Sequence, residues 1–429
     1  MIIPSVTRAT RAAVESHVLP SGRQESPLPG APGCFVMQLS SPQEIEEFVQ
    51  EWSDLADRSL DANVFYTPWF FQPAAKRLPS RGSWKILLVW RKEKTPGKPP
   101  VLVGFFPFVE RHSLVLGRVW ALWEHPYCYL TTPLVEDGSQ REVLAGVFEY
   151  VSSQTPKVSA LEFPLLTGDG RWQQAMTAVL RERLAVQYTQ DRYLRAALIP
   201  SDNGENRSSG GLAGHHLREL RRLRRKLEGL GQLEYRSLDE TRGSELWLDW
   251  FLQLETSGWK AEEGTAIQQR EADVDFFRQI VYSGLQQNRV QMEGLFLDGN
   301  PIALRVNLFS PPVSFAFKIA YDETLRKYSP GLQLELSSME RFGQCGRLQW
   351  SDSCAAPGHP MIDRVWAGRR VIEHLLVSTG HVRGDLVLGF KPFLRAVYRV
   401  QKRVIQRLRQ AEKSKSRPDV QPSATDLPA

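Results

Sequence analysis

"AYDETLRKYSPGLQLEL", residues 320–336, joins the end of an alternating apolar run, Phe315 to Ile319, to a helical repeat. Ser329 suits the cap position and Pro330 the first helical position, where a missing N–H costs nothing. The next amides, Gly331 and Leu332, have no partner inside the helix. Free donors at the positive end of a helix dipole attract anions, and glycine lets a phosphate approach the backbone closely. Arg326 and Lys327 stand just ahead and add charge. Leu332, Glu335, Leu336 and Met339 share one helical face, so Glu335 is expected to turn partly inward. Plain helix punctuation by Ser-Pro explains the same letters, and both readings stay open at this point.

Working outward, two blocks of sequence rhyme. In the second, "VQMEGLFLDGNPIALRVNLF" (290–309) reads strand, Asp-Gly-Asn turn, strand, a hairpin signal. In the first, "WKILLVW" (84–90) and "PVLVGFFPFVE" (100–110) do the same. Each hairpin is followed by a further strand candidate, "VWALWEHPY" and "FAFKIAYD". "SELWLDWFLQLETS" (244–257) places Leu246, Trp250 and Leu254 four apart, an amphipathic helix. The expected fold class is α/β (α+β, mixed sheet) with two units of similar topology.

The expected boundaries follow from composition. Residues 1–33 are rich in Pro, Ser and Gly without periodicity, which predicts disorder. An N-terminal domain is expected over 34–205, a linker with a basic helix over 206–235, a C-terminal domain over 236–390, and a basic tail over 391–429 whose end is disordered. The polar run "SDNGENRSSGG" (201–211) marks the junction.

The net charge of +6 is concentrated. Residues 391–417 hold ten Lys or Arg against one Glu, so the body without them is slightly acidic. A second cluster, "HHLRELRRLRRKLEGLG" (215–231), puts Arg218, Arg221, Arg222 and Arg225 on one helical face and Leu217, Leu220, Leu223 and Leu227 on another. A bridging helix with a solvated basic face explains it, as does a phosphate-bearing ligand at 215–228. No apolar run approaches the roughly 20 residues of a membrane helix, and the basic tail is a candidate for peripheral membrane contact. Cys34, Cys128, Cys345 and Cys354 follow no metal or disulfide spacing, so no metal is expected and a reducing cytoplasm fits.

"FLQLETSGWKAEEGTAI" (251–267), "FAFKIAYDETLRKYSPG" (315–331) and "WSDSCAAPGHPMIDRVW" (350–366) resemble, in order and spacing, the CelD/BioF2-like branch of the GNAT acetyltransferases. The resemblance spans about residues 40–375, and the N-terminal unit would be a degenerate GNAT-like domain. It implies acetyl-CoA or another acyl-CoA as donor, its pantetheine arm along Phe317, Lys318 and Ile319. The pyrophosphate would meet Arg326, Lys327, Tyr328, Ser329, Gly331 and Leu332. "RKYSPG" departs from the family loop, with Ser329 at a usual glycine and Pro330 removing one donor.

Direct transfer from a thioester to an amine needs a base for the acceptor and an acid for the departing thiolate. Asp352, closing the strand-like "RLQWSD", is the first base candidate, and Glu255 at the end of an amphipathic helix is another. His359 is a possible shuttle, and Tyr321 and Tyr328 could protonate the thiolate. Trp259 and Lys260 in a glycine-rich segment would line the acceptor site, the indole as a stacking platform for a sugar. Family association points to a sugar or cell-envelope polysaccharide precursor as acceptor. The arginine helix also resembles, distantly, the basic segment of FemABX transferases, which use aminoacyl-tRNA on a cell-wall precursor. A non-catalytic binder of anionic polymer or membrane is the third reading.

Overall fold

The computed structural model describes residues 25–199, 214–257, 267–342, 348–393 and 395. The first half runs β1 (Glu25–Pro27), β2 (Cys34–Leu39), α1 (Val49–Asp57), α2 (Pro68–Arg77), β3 (Ser83–Arg91), β4 (Val101–Ser113) and β5 (Gly117–Leu122). It continues through β6 (Leu134–Val135), α3 (Gln140–Ser152), β7 (Ala160–Thr167), α4 (Gly170–Glu182) and β8 (Gln187–Leu198). The second half opens with α5 (Gly214–Glu228), β9 (Leu233–Leu238), α6 (Ser244–Thr256), α7 (Glu271–Gln286), β10 (Val290–Leu297), β11 (Asn300–Ser310) and β12 (Val313–Tyr321). It closes with α8 (Pro330–Phe342), β13 (Trp350–Asp352), α9 (Ile362–Val365), β14 (Gly368–Ser378) and α10 (382–393).

From β2 to β8 and from β9 to β14 the halves repeat element for element, apart from the short β6. Each has a strand, two helices, three antiparallel strands, a helix, a strand parallel to the third, a helix and a last strand. Both parallel pairs are short: Val119–Ala121 beside Ala160–Glu162, and Val313–Phe315 beside Trp350–Asp352. The hairpin expected at "LDGN" forms with Asp298 and Gly299 both left-handed (φ 48° and 79°), the geometry of a tight two-residue turn.

One mixed sheet of 14 strands carries the fold, in the order β1-β2-β3-β4-β5-β7-β14-β8-β13-β12-β11-β10-β9, with β6 on β4. The last strands of the halves are exchanged. β14 lies against β7 of the first half, β8 lies against β13 of the second, and the two pair antiparallel from Gly368–Val377 to Ala197–Gln187. The halves are therefore interlocked through their last strands, and the polar run 201–211 lies outside the described residues. The expected limits differ in detail as well. Residues 25–27 pair with β2, and Leu28 and Ala31 are buried, so order begins before residue 34. Strand β9 starts at Leu233, and α10 runs across the boundary at 390.

One sheet face carries a single core shared by both halves. Rings of α2 meet those of α7 and β12: Phe70 lies 5.5 Å from Phe276 and 5.8 Å from Phe317. Burying such rings contributes about 2 kcal/mol each or more, and here the gain is realised only when the halves meet. On the other face, α3 and α4 cover the first half, and α5 and α8 cover the second.

Candidate functional site

β12 positions the site. A bulge in its pairing with β11 leaves Phe317 unmatched, since Val306 faces Lys318 and Asn307 faces Ala316. The extra residue puts Phe317 and Lys318 on the same face. Phe317 joins the shared core, while Ile319 and Tyr321 pack on the α8 side. β13 leaves β12 after Phe315 and Asp352, although β12 runs on to Tyr321. The two parallel strands part just before the bulge.

Around Lys318 lies a buried polar cluster. The Glu255 carboxylate is 3.9 Å from Lys318 Nζ and accepts from the Ile267 amide at 3.0 Å. The Lys318 ammonium sits 4.9 Å over the Tyr127 ring, and Tyr127 donates to Asp273 at 2.9 Å. Burial pulls the Lys318 ammonium below its ordinary pKa, against the pull of Glu255 and Asp273. Burial pushes the Tyr127 phenol up, and its bond to Asp273 adds to this. Glu255 and Lys318 were legible in the sequence. Tyr127, Tyr129 and Asp273 were not, because "VWALWEHPY" reads only as a strand candidate of the first half, and only the fold carries Tyr127 and Tyr129 to the bulge of the second. Tyr129 lies 5.9 Å from Phe317.

Asp352 occupies a different setting. It is fully buried, 2.8 Å from Arg370 and 3.5 Å from Arg195, and accepts from the Cys354 amide at 2.8 Å. Burial raises its pKa, but the two guanidiniums and that amide outweigh burial and hold the carboxyl below its ordinary value. A carboxylate held this way is a weak base and a strong anchor for β8, β13 and β14. Arg370 also donates to Thr167 at 2.7 Å and lines a cleft of about 710 Å³ with Asp61, Asp169, Trp350 and Arg369.

At the far end of β12, residues Glu323–Tyr328 form a short 3-10 helix, and Ser329 takes a left-handed conformation (φ 54°) before α8. The first helical bond runs from the Gln333 amide to Ser329, so the Gly331 and Leu332 amides precede it. Arg326 and Lys327 are exposed on that short helix, whose Leu325 and Tyr328 pack on the α8 side, and Lys327 stands 5.0 Å from the Tyr328 ring. A Cβ on Gly331 would meet the Tyr321 ring at 3.2 Å, so glycine keeps the two in close contact. Burial and Glu323 raise the Tyr321 phenol, which stays protonated. His359 accepts from the Ile362 amide at 3.4 Å and starts the turn of α9. Trp259 and Lys260 lie outside the described residues.

Beneath α8 a second network fixes the helix. Glu335 bonds Arg305 at 3.0 Å and accepts from the Trp366 indole at 2.8 Å, the inward turn its spacing predicts. Asn307 and Ser338 both donate to Glu293. α5 packs beside this helix through Leu227, with Gln333 donating to the Leu220 carbonyl at 2.8 Å. Arg221, Arg222 and Arg225 are exposed, Arg222 pairing with Glu219, while Arg224 pairs with Glu228 and donates to Ser337 of α8 at 3.3 Å; Arg221 and Arg225 have no carboxylate partner among the described residues. No group of His, Cys, Asp or Glu among the described residues is arranged to hold a metal.

Residues 214–355 match the family profile described as an acetyltransferase (GNAT) domain. The second half therefore carries a GNAT acetyltransferase domain, and acyl transfer is the class of its chemistry. No curated protein matches the chain. Among solved structures it is similar to FemX, at 9% identity and TM-score 0.52, over 77% of this chain and 95% of that one. It is also similar to a tandem GNAT protein from the clavulanic acid biosynthesis pathway, at 14% identity and TM-score 0.41, covering 81% and 99%. A third is the C-terminal domain of a putative lysylphosphatidylglycerol synthetase from Agrobacterium fabrum, at 12% and 0.44, covering 80% and 95%. At such identity the FemX likeness is one of fold.

Proposed function

We propose that the protein transfers an acyl group from acyl-CoA to an amine or hydroxyl, as a GNAT-type enzyme acting in a ternary complex. The observation that carries this reading is the parting of β12 and β13 just before the bulge, next to a buried carboxylate and in line with the free amides of α8. The pantetheine arm lies along β12 beyond Phe315, where the ladder to β13 has ended. The diphosphate sits against the Gly331 and Leu332 amides, with Arg326 and Lys327 beside it. Glu255 takes the proton as the acceptor attacks the thioester carbon, the C–N or C–O bond forms, and the C–S bond breaks on collapse of the tetrahedral intermediate. Tyr321 returns a proton to the thiolate. Lys318 offsets the Glu255 charge and orients it.

The acceptor in this reading is a sugar or polysaccharide precursor of the cell envelope, as in the CelD/BioF2-like branch. The cleft of Asp61, Asp169, Trp350 and Arg369, at the Val313–Trp350 end of the β12–β13 pair, has hydrogen-bonding groups and an indole that suit a glycan. One observation favours the aminoacyl-tRNA reading instead: the arginine face of α5 stands beside the donor end of α8, where a long polyanion would find it.

Thermal melting with acetyl-CoA and with CoA tests the proposal. At 100 times its dissociation constant a ligand adds about 2.7 kcal/mol of stability. Arg326→Ala with Lys327→Ala, both on the exposed short helix, is expected to weaken CoA about tenfold and leave the unliganded melt unchanged. A wild-type protein that ignores every CoA but is stabilised by tRNA would sink the acyl-CoA reading and favour the other.

A further inference from the structure

Helix α10 has two apolar stripes on opposite sides. Gly384 and Leu388 face inward, Leu388 fully buried with Leu116, Val119, Ala160 and Leu376. The opposite side carries Val382 (69% exposed), Leu386 (56%), Phe390 (61%) and Phe393 (66%), spaced four, four and three apart. A helix docked on a globular core is expected to be polar on that side. The stripe is extended by the tip of the β4–β5 hairpin, where Leu114 is 98% exposed and Val115 61%. Arg383 ties the two together by donating to the Val115 and Leu114 carbonyls at 2.7 and 2.8 Å. Six of the large apolar side chains that the fold leaves in water thus gather at one corner.

The charges around the stripe say what covers it. Lys391 and Arg395 follow on α10 and reach Gln190 and the Tyr188–Gln190 segment, beside the stripe. The chain then continues with Arg399, Lys402, Arg403, Arg407 and Arg409, and 391–417 holds ten basic residues against one acidic. A second copy of this surface would bring like charges together, which disfavours self-association. An apolar helical face flanked by Lys and Arg is the chemistry of a segment lying in the plane of an anionic bilayer surface. The geometry points to a peripheral membrane attachment site: the outer face of α10 and the Leu114–Val115 tip enter the headgroup region, and Lys391 and Arg395 beside them meet anionic lipid. This corner is formed by residues other than Glu255, Lys318 and the α8 amides, so attachment is independent of the catalytic reading. No described helix is long and apolar enough to cross the membrane.

Sedimentation of the full chain with phosphatidylcholine vesicles, with and without phosphatidylglycerol, tests this. The wild-type protein is expected to pellet with the anionic vesicles and to be released by salt. Leu386→Ser, Phe390→Ser and Phe393→Ser together, all in solvent, should leave the melting temperature unchanged and cut vesicle binding by at least about tenfold. Wild-type protein that stays in the supernatant overturns the proposal. So does a triple variant that pellets like wild type, which would assign binding to tail charge alone. A dimer in solution that the triple variant splits, with no vesicle binding, would also overturn it and give the stripe to a second copy.

Discussion

Two carboxylates sit in opposite electrostatic settings at the scale of the residue, and the proposed function gives catalysis to one of them. Glu255 lies at the bulge beside one ammonium, and Asp352 lies between two guanidiniums. Glu255→Gln keeps the acceptor for the Ile267 amide, so it should fold normally and lose about 100-fold or more in kcat, read in a thiol-release assay. Asp352→Asn leaves Arg195 buried without its counter-charge and Arg370 with Asp61 alone, and is expected to cost about 3–5 kcal/mol of stability. Because the native carboxyl is held below its ordinary value, the stability it contributes is present above about pH 4 and is lost as pH falls through the native pKa. Melting of wild type and Asp352→Asn across acid pH should therefore show a gap that closes toward low pH. A gap independent of pH would contradict the ion cluster. Both residues stood out in the sequence as carboxylates at element ends. Their partners did not, since Arg195 and Arg370 are 175 positions apart and meet only because β8 and β14 pair.

Elements with a local signature were legible: the Asp298–Gly299 hairpin, the amphipathic α6, and the start of α8 at Pro330. The bulge at Phe317 had no such signature, because it is a matter of register against β11 and leaves the alternation of "FAFKIA" unchanged. α5 was read as a helix with a leucine and an arginine face, and Leu220 and Leu227 are indeed the buried pair. What the letters did not say is that it docks on the helix carrying the donor amides. Gln333→Ala removes the side-chain bond to the Leu220 carbonyl and should cost about 1 kcal/mol. Amide hydrogen exchange over 214–228 would then speed up relative to α8. Unchanged protection would mean that leucine packing alone holds α5 in place.

At the scale of the whole molecule, the repeat was visible as two rhyming blocks, and the exchange of last strands was not. A strand's own letters set which of its side chains are buried, not which strand lies beside it, and β8 is largely exposed from Gln187 to Leu194. The consequence for stability is testable by cutting the chain within 201–211. Produced alone, either fragment lacks one central strand and should be recovered as aggregate, whereas the two produced together should co-purify. Soluble, separately folded fragments would show that the shared core and the exchanged strands are dispensable.

The same exchange fixes a timetable. β7 is made some 200 residues before β14, the strand that covers its edge. While a ribosome is still translating the second half, the first therefore carries an open row of unpaired amides and carbonyls, an edge prone to adhere to other nascent chains. The last strand synthesised is the one that licenses the first half to finish folding. A truncated message or a stalled ribosome yields no usable piece.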